Sequence, residues 1–138
     1  MARTIAIIGA LEKEVSQIYD ALSERSIVEE AGLAVARGTF EGVQVVACTA
    51  GMGTVNAAAA TQHLLSRYGA GTVIFSGIAG GLNPALHIND VVIGERLRYL
   101  DTDTSLIAES TPGLEEFASS PSLVDAAEAV LRDKGFVD

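Results

Sequence analysis

The chain has 138 residues, enough for one compact domain with a core, and its 49% hydrophobic content argues against disorder. With 9 basic against 18 acidic residues it carries a net charge of −9, which repels phosphate backbones and anionic lipid and excludes nucleic acid and membrane surfaces as partners. Cys48 is the only cysteine, so no intrachain disulfide can form, and no apolar run approaches the ~20 residues that span a bilayer; the cytoplasm is the expected location.

Met1-Ala2-Arg3 followed by Thr4 to Ala10 has the outline of a signal peptide. The apolar stretch breaks at once into Glu12-Lys13-Glu14, so a buried first strand over Thr4 to Gly9 explains it better. Ala10-Leu11 then leads into a helix reaching about Leu22. Leu33 to Thr39 and Val43 to Thr49 read as strands of a hairpin closed by Phe40-Glu41-Gly42. Ala50-Gly51-Met52-Gly53 opens a helix to Tyr68, with Thr54 as N-cap and Gly69 as stop. Thr72 to Ser76 is a further buried strand that runs into Gly77-Ile78-Ala79-Gly80-Gly81, and Asp90 to Gly94 is another short strand. Leu100 to Ser119 reads as one long irregular loop. Ser120-Pro121 caps and opens a last helix, Gly135 stops it, and Phe136-Val137 looks like the start of a strand.

Three strand ends thus carry turns of small residues. In α/β sheets, ligands gather at the carboxyl ends of strands, where small residues let backbone N–H groups approach closely. Gly51-Met52-Gly53 with Asn56 has part of a dinucleotide fingerprint but lacks the third small position and the acidic partner, and no phosphate-binding Gly-Lys-Ser/Thr loop is present. Asp101-Thr102-Asp103 opens like a calcium loop, yet Leu106 and Pro112 stand where the turn glycine and closing glutamate belong. His63 and His87 have no second ligand at metal-binding spacing, so no metal and no cofactor is expected. Glu12 and Glu14 fall in the first turn after the first strand. There they either simply suit a helix start or hold a water for hydrolysis, and spacing alone does not choose between these.

Ile7-Ile8-Gly9-Ala10-Leu11-Glu12-Lys13-Glu14-Val15, Gly51-Met52-Gly53-Thr54-Val55-Asn56-Ala57 and Ser76-Gly77-Ile78-Ala79-Gly80-Gly81-Leu82 occur in that order. As a set they resemble the 5′-methylthioadenosine/S-adenosylhomocysteine nucleosidases of the nucleoside phosphorylase/hydrolase superfamily, over residues 4 to about 105. The resemblance implies an α/β fold of three layers, with a mixed, mostly parallel sheet flanked by helices and incomplete at the C-terminus, residues 1–138 being the N-terminal part of a single nucleosidase domain. It implies hydrolysis of a purine nucleoside with release of adenine. Glu14 would position the attacking water, and Ala10, Leu11, Met52, Ile78, Ala79 and Gly80 would line the ligand. Ile107 and Pro112 would close the pocket of a neighbouring subunit in a homodimer. Ile107 replaces the family's aromatic residue, and Leu100 stands where relatives often carry His, so the 5′ substituent is left open. The phosphorylase branch needs arginines for phosphate; here the corresponding places hold Glu12-Lys13-Glu14 and Phe75-Ser76, which favours hydrolysis over phosphorolysis, and a non-catalytic nucleoside-binding relative is the other alternative. The family's ribose-gripping glutamate and purine-protonating aspartate have no counterpart here, so the chain alone is expected to turn over little or no substrate.

Overall fold

The computed structural model describes residues 4–136. The chain divides into two compact units, residues 1–80 and 81–138. In the first unit a five-stranded sheet is built from β1 (Thr4–Gly9), β2 (Ser23–Glu30), β3 (Leu33–Phe40), β4 (Val43–Thr49) and β5 (Ala70–Phe75), in the order β2-β3-β4-β1-β5. β1 runs parallel to β4 and β5, while β2–β3 and β3–β4 pair antiparallel. The sheet is therefore mixed, as expected.

Side-chain alternation along β1 assigns the two helices to opposite faces. Ala6 and Ile8 pack with Val46, Cys48 and with Ala60 and Leu64 of α2 (Thr54–Tyr68), whereas Ile7 packs with Val45, Ala36 and with Tyr19 and Leu22 at the end of α1 (Glu12–Ala21). Three layers follow from that division. Cys48 is buried within the α2-side core, which raises its thiol pKa, as expected of a packing residue rather than a reactive one. Gly71 is skipped in the register between Thr4–Ala70 and Ile5–Thr72, which lets Val73 face the α2 side.

β2 is absent from the sequence reading. Its residues, SERSIVEE, are almost all exposed, so the strand lacks the buried alternation by which a strand is recognised, as befits a polar edge. Glu30 at its end is tied to α2 by the Tyr68 hydroxyl and by Arg67 at 3.3 Å, and His63 Nε2 stands 3.2 Å from the same carboxylate. His63 thus serves the packing of this edge.

Both hairpin turns put two residues in the left-handed region: Ala31 and Gly32 at φ 53° and 74°, Glu41 and Gly42 at 48° and 81°. These are the positions where Asn-Gly is favoured, and an Ala there strains its Cβ against the carbonyl. Ala31→Asn is expected to raise stability by about 0.5–1 kcal/mol. Chemical unfolding of the two proteins measures this; a lowered midpoint would contradict the turn assignment.

The second unit holds β6 (Arg96–Leu97), α3 (Thr104–Ser110), β7 (Phe117–Ala118) and α4 (Pro121–Asp133). The expected strand at Asp90–Gly94 does not form. The run is β-branched but finds no ladder partner among the described residues, and a strand exists only by pairing. The long loop contains order that the sequence reading missed. β6 and β7 pair antiparallel, Glu116 bridges Arg96 at 2.7 Å and Arg98 at 2.8 Å, and Asp103 caps α3 by accepting from the Ser105 N–H at 2.9 Å. These short elements have too few residues to show a period. α4 begins at Ser120-Pro121 as expected. It ends with Gly135 at φ 89°, where the Phe136 N–H bonds to the Leu131 carbonyl and the Gly135 N–H to that of Arg132, a Schellman close. Phe136 is therefore part of a helix stop; the remainder of the strand start expected at Phe136-Val137 lies outside the described residues. Gly53 rather than Thr54 is the N-cap of α2, while Gly69 stops it at φ 62°.

Candidate active site

The parallel strands β4, β1 and β5 end side by side, with Gly9 beside Thr49 and Ile8 beside Phe75. The ladder continues one residue beyond, through the Ala50 N–H to the Gly9 carbonyl at 2.8 Å and the Ser76 N–H to the Ile8 carbonyl at 2.9 Å. Three turns therefore leave the sheet at one edge: Ala10-Leu11 into α1, Ala50 to Gly53 into α2, and Ser76-Gly77-Ile78.

Glu14 joins two of them. It is the third residue of α1, counted from the N-cap Leu11, and its Oε2 accepts from the Ala10 and Leu11 N–H groups, both at 2.8 Å. This is the backward half of a capping box; Leu11 has no side-chain acceptor to supply the forward half. Its Oε1 accepts from the Ile78 N–H at 2.9 Å, across 64 positions of sequence. The Ile78 bond, followed by that of Leu11, holds the carboxyl below the usual glutamate value of 4.5, with smaller help from Ala10 and Lys13 against partial desolvation. Glu14 is ionised at neutral pH.

The fit depends on the absence of two side chains. A Cβ on Gly77 would lie 3.0 Å from Glu14 Oε1, and one on Gly9 would lie 3.0 Å from Glu14 Cβ and 3.1 Å from the Ser76 carbonyl. Lys13, Glu14, Ser76, Gly77 and Ile78 line a cavity of about 300 Å³ at this edge. A carboxylate offers about four acceptor positions. With three used on amides, one on Oε1 is left for a donor such as water.

Of the residues singled out in the sequence, Glu14, Ala10, Leu11 and Ile78 thus come into direct contact. Ala79 and Gly80 follow Ile78 and are exposed, and Met52 projects from the β4 turn with 74% of its surface open. Ile107 is half-buried on α3 and Pro112 is exposed just after it, both in the second unit. The sequence reading missed that Ile78 acts through its amide, and that Gly77 makes room for the carboxylate. A glycine one residue before that amide was the available signal. It also missed the bond of 3.1 Å between Tyr19 and Thr49, which braces α1 against the end of β4. Among the described residues no cluster of His, Cys, Asp and Glu is suited to a metal, and no helix is long and apolar enough to cross a membrane.

Comparison with known proteins agrees with this geometry. The chain is 37% identical over 134 residues to a 5′-methylthioadenosine/S-adenosylhomocysteine nucleosidase of Bacillus cytotoxicus, covering 94% of this chain and 58% of the relative. It is 35% identical over 137 residues to the nucleosidase of the same name from Chromohalobacter salexigens, covering 96% and 58%. Among solved structures, the nucleosidase of Neisseria meningitidis in complex with methylthio-immucillin-A superposes with a TM-score of 0.88 at 32% identity, over 95% of this chain and 58% of that one. The nucleosidase of Colwellia psychrerythraea in complex with adenine gives 0.86 at 31%, over 94% and 55%. The chain therefore spans a little over half the length of the relatives it matches. The resemblance read from the three motifs stands, and residues 4–137 match the Phosphorylase superfamily, to which the chain belongs.

Proposed function

We propose that the protein hydrolyses the N-glycosidic bond of a purine nucleoside of the 5′-methylthioadenosine or S-adenosylhomocysteine type and releases adenine. The observation that carries this reading is the ionised Glu14 carboxylate, fixed by three amides at the edge where the parallel strands end, with acceptor capacity left for one water. Relatives named for this activity, and those with adenine or methylthio-immucillin-A bound, support the substrate class. On this reading residues 1–138 are the N-terminal part of a single nucleosidase domain. That agrees with the 58% of its relatives' length that the chain spans.

The chemistry needs little basicity from Glu14. As the glycosidic bond breaks, its electron pair goes to the purine, which takes up a proton from solvent and leaves as neutral adenine, and positive charge builds on the ribose, so the anomeric carbon becomes strongly electrophilic. A water already held on Oε1 adds to that carbon and gives its proton to the carboxylate. Holding it in place matters more than removing the proton early, which suits a carboxyl group kept more acidic than usual. Ala10, Leu11, Met52, Ile78, Ala79 and Gly80 line the ligand, and Ile107 and Pro112 close the 5′ pocket of the neighbouring subunit in a cytoplasmic homodimer.

Phosphorolysis is the second reading, because Lys13 lines the same cavity as Glu14. Adenine release from 5′-methylthioadenosine by the full-length gene product, with and without phosphate, separates the two. Release that needs no phosphate is expected; strict dependence on phosphate would assign the protein to phosphorolysis.

A further inference from the structure

Asn56 stands in the first turn of α2, and its Nδ2 donates to the Met52 carbonyl at 2.8 Å, reaching back across the turn that leads from β4 into the helix. The ends of that turn are anchored by the Ala50 N–H on the Gly9 carbonyl at 2.8 Å and the Ala57 N–H on the Gly53 carbonyl at 3.1 Å, and Met52 lies between them. Gly51 and Gly53, on either side of Met52, have φ of 86° and 95°, and Gly53 caps the helix without a side-chain bond. Glycine gives the unfolded chain its widest freedom, so the Asn56 bond to the residue between the two glycines adds a restraint where the backbone is freest. The Asn56 amide also lies close against Gly51, where an added Cβ would stand 3.1 Å from Nδ2. Met52 itself is 74% exposed at the edge shared with Glu14.

We propose that Asn56 is a positioning residue: by holding the Met52 carbonyl it fixes the turn that presents Met52 to the ligand, and so sets ligand affinity without touching the reacting atoms. The contact of Met52 with ligand rests on the functional reading above. Aspartate is the informative replacement, since it has the shape of asparagine but only accepts hydrogen bonds, and so sets like partial charges face to face. In the full-length gene product Asn56→Asp is expected to raise KM for 5′-methylthioadenosine about fivefold, the effect of one lost hydrogen bond, with kcat within twofold. In a Met52→Ala background the same change is expected to add nothing, because Asn56 acts through Met52. An unchanged KM, or an equal rise in both backgrounds, would overturn the proposal. If Asn56→Asp does not fold, Asn56→Ala is measured in the same way.

Should the wild-type protein neither bind nor cleave 5′-methylthioadenosine, the functional reading fails, and the turn is still testable without ligand. The 138-residue chain has only two methionines, Met1 and Met52, so methyl-labelled NMR of that chain resolves Met52 directly. Its resonance is expected to shift or broaden in Asn56→Asp; an identical resonance would show that Asn56 does not fix the turn.

Discussion

Glu14→Gln in the full-length gene product is expected to lower kcat for nucleoside cleavage by about 10²- to 10⁴-fold, the range for loss of a positioned base, while the protein stays folded. A carboxamide keeps one oxygen for the Ala10 and Leu11 amides but turns its NH₂ on the Ile78 N–H, donor against donor, and leaves no acceptor for the water. The pH dependence follows from the same bonds. The folded-state pKa is lowered, so the stability conferred by the ionised carboxylate is complete above the usual value of 4.5 and is lost as pH falls through the lower folded value. The acid limb of kcat/KM due to Glu14 is therefore expected below pH 4.5. A limb near neutrality that moves with Glu14 substitutions would contradict the amide cage.

Gly77→Ala is the second large effect. The new Cβ would stand 3.0 Å from Glu14 Oε1, 3.2 Å from its carboxyl carbon and 3.3 Å from the Phe75 ring. The carboxylate cannot swing away freely, because its other oxygen is bound to two amides. Either it gives up the Ile78 N–H or the Ser76 to Ile78 segment moves off. Since a misplacement of about 1 Å can cost about 100-fold, activity is expected to fall by about 10- to 100-fold. The acid limb is also expected to move up, because the Ile78 bond is the largest cause of the lowered pKa. Gly71→Ala is the control: its Cβ would meet nothing within 4 Å, and it sits at the opposite end of β5. Equal losses in the two variants, measured as kcat/KM across pH, would show that room for the carboxylate is not what Gly77 provides.

The parallel centre of the sheet was legible because its strands are buried on both sides. TIAIIG and VQVVACT read as strands on composition alone, and each ends in small residues that announce a turn. The helix ends were legible where they carry their own chemistry, as at Ser120-Pro121 and Gly135. The polar edge strand β2 was not, since its exposed residues encode pairing with β3 and little else. Asp90–Gly94 failed in the opposite sense: the local preference for a strand is there, but the partner that makes one is not among the described residues. At the candidate site the residue types were visible and their contacts were not. Sequence spacing places Glu14 near Ala10 and Leu11, as any capping glutamate would be. The contact that distinguishes it comes from Ile78 through a backbone amide, which carries no side-chain identity for a motif to display. Asn56 was read as a misfit in a dinucleotide pattern and as part of the second motif, with no role of its own, though its bond to Met52 is local enough to follow from helix geometry.

The measurement that tests the central claim most directly is the crystal structure of the full-length gene product with methylthio-immucillin-A. The expected result is an ordered water within about 3 Å of Glu14 Oε1, on the side of the sugar ring's anomeric position, with the bonds from Ala10, Leu11 and Ile78 intact. An analogue bound away from Glu14, or a carboxylate free of its amides with no water beside it, would contradict the account.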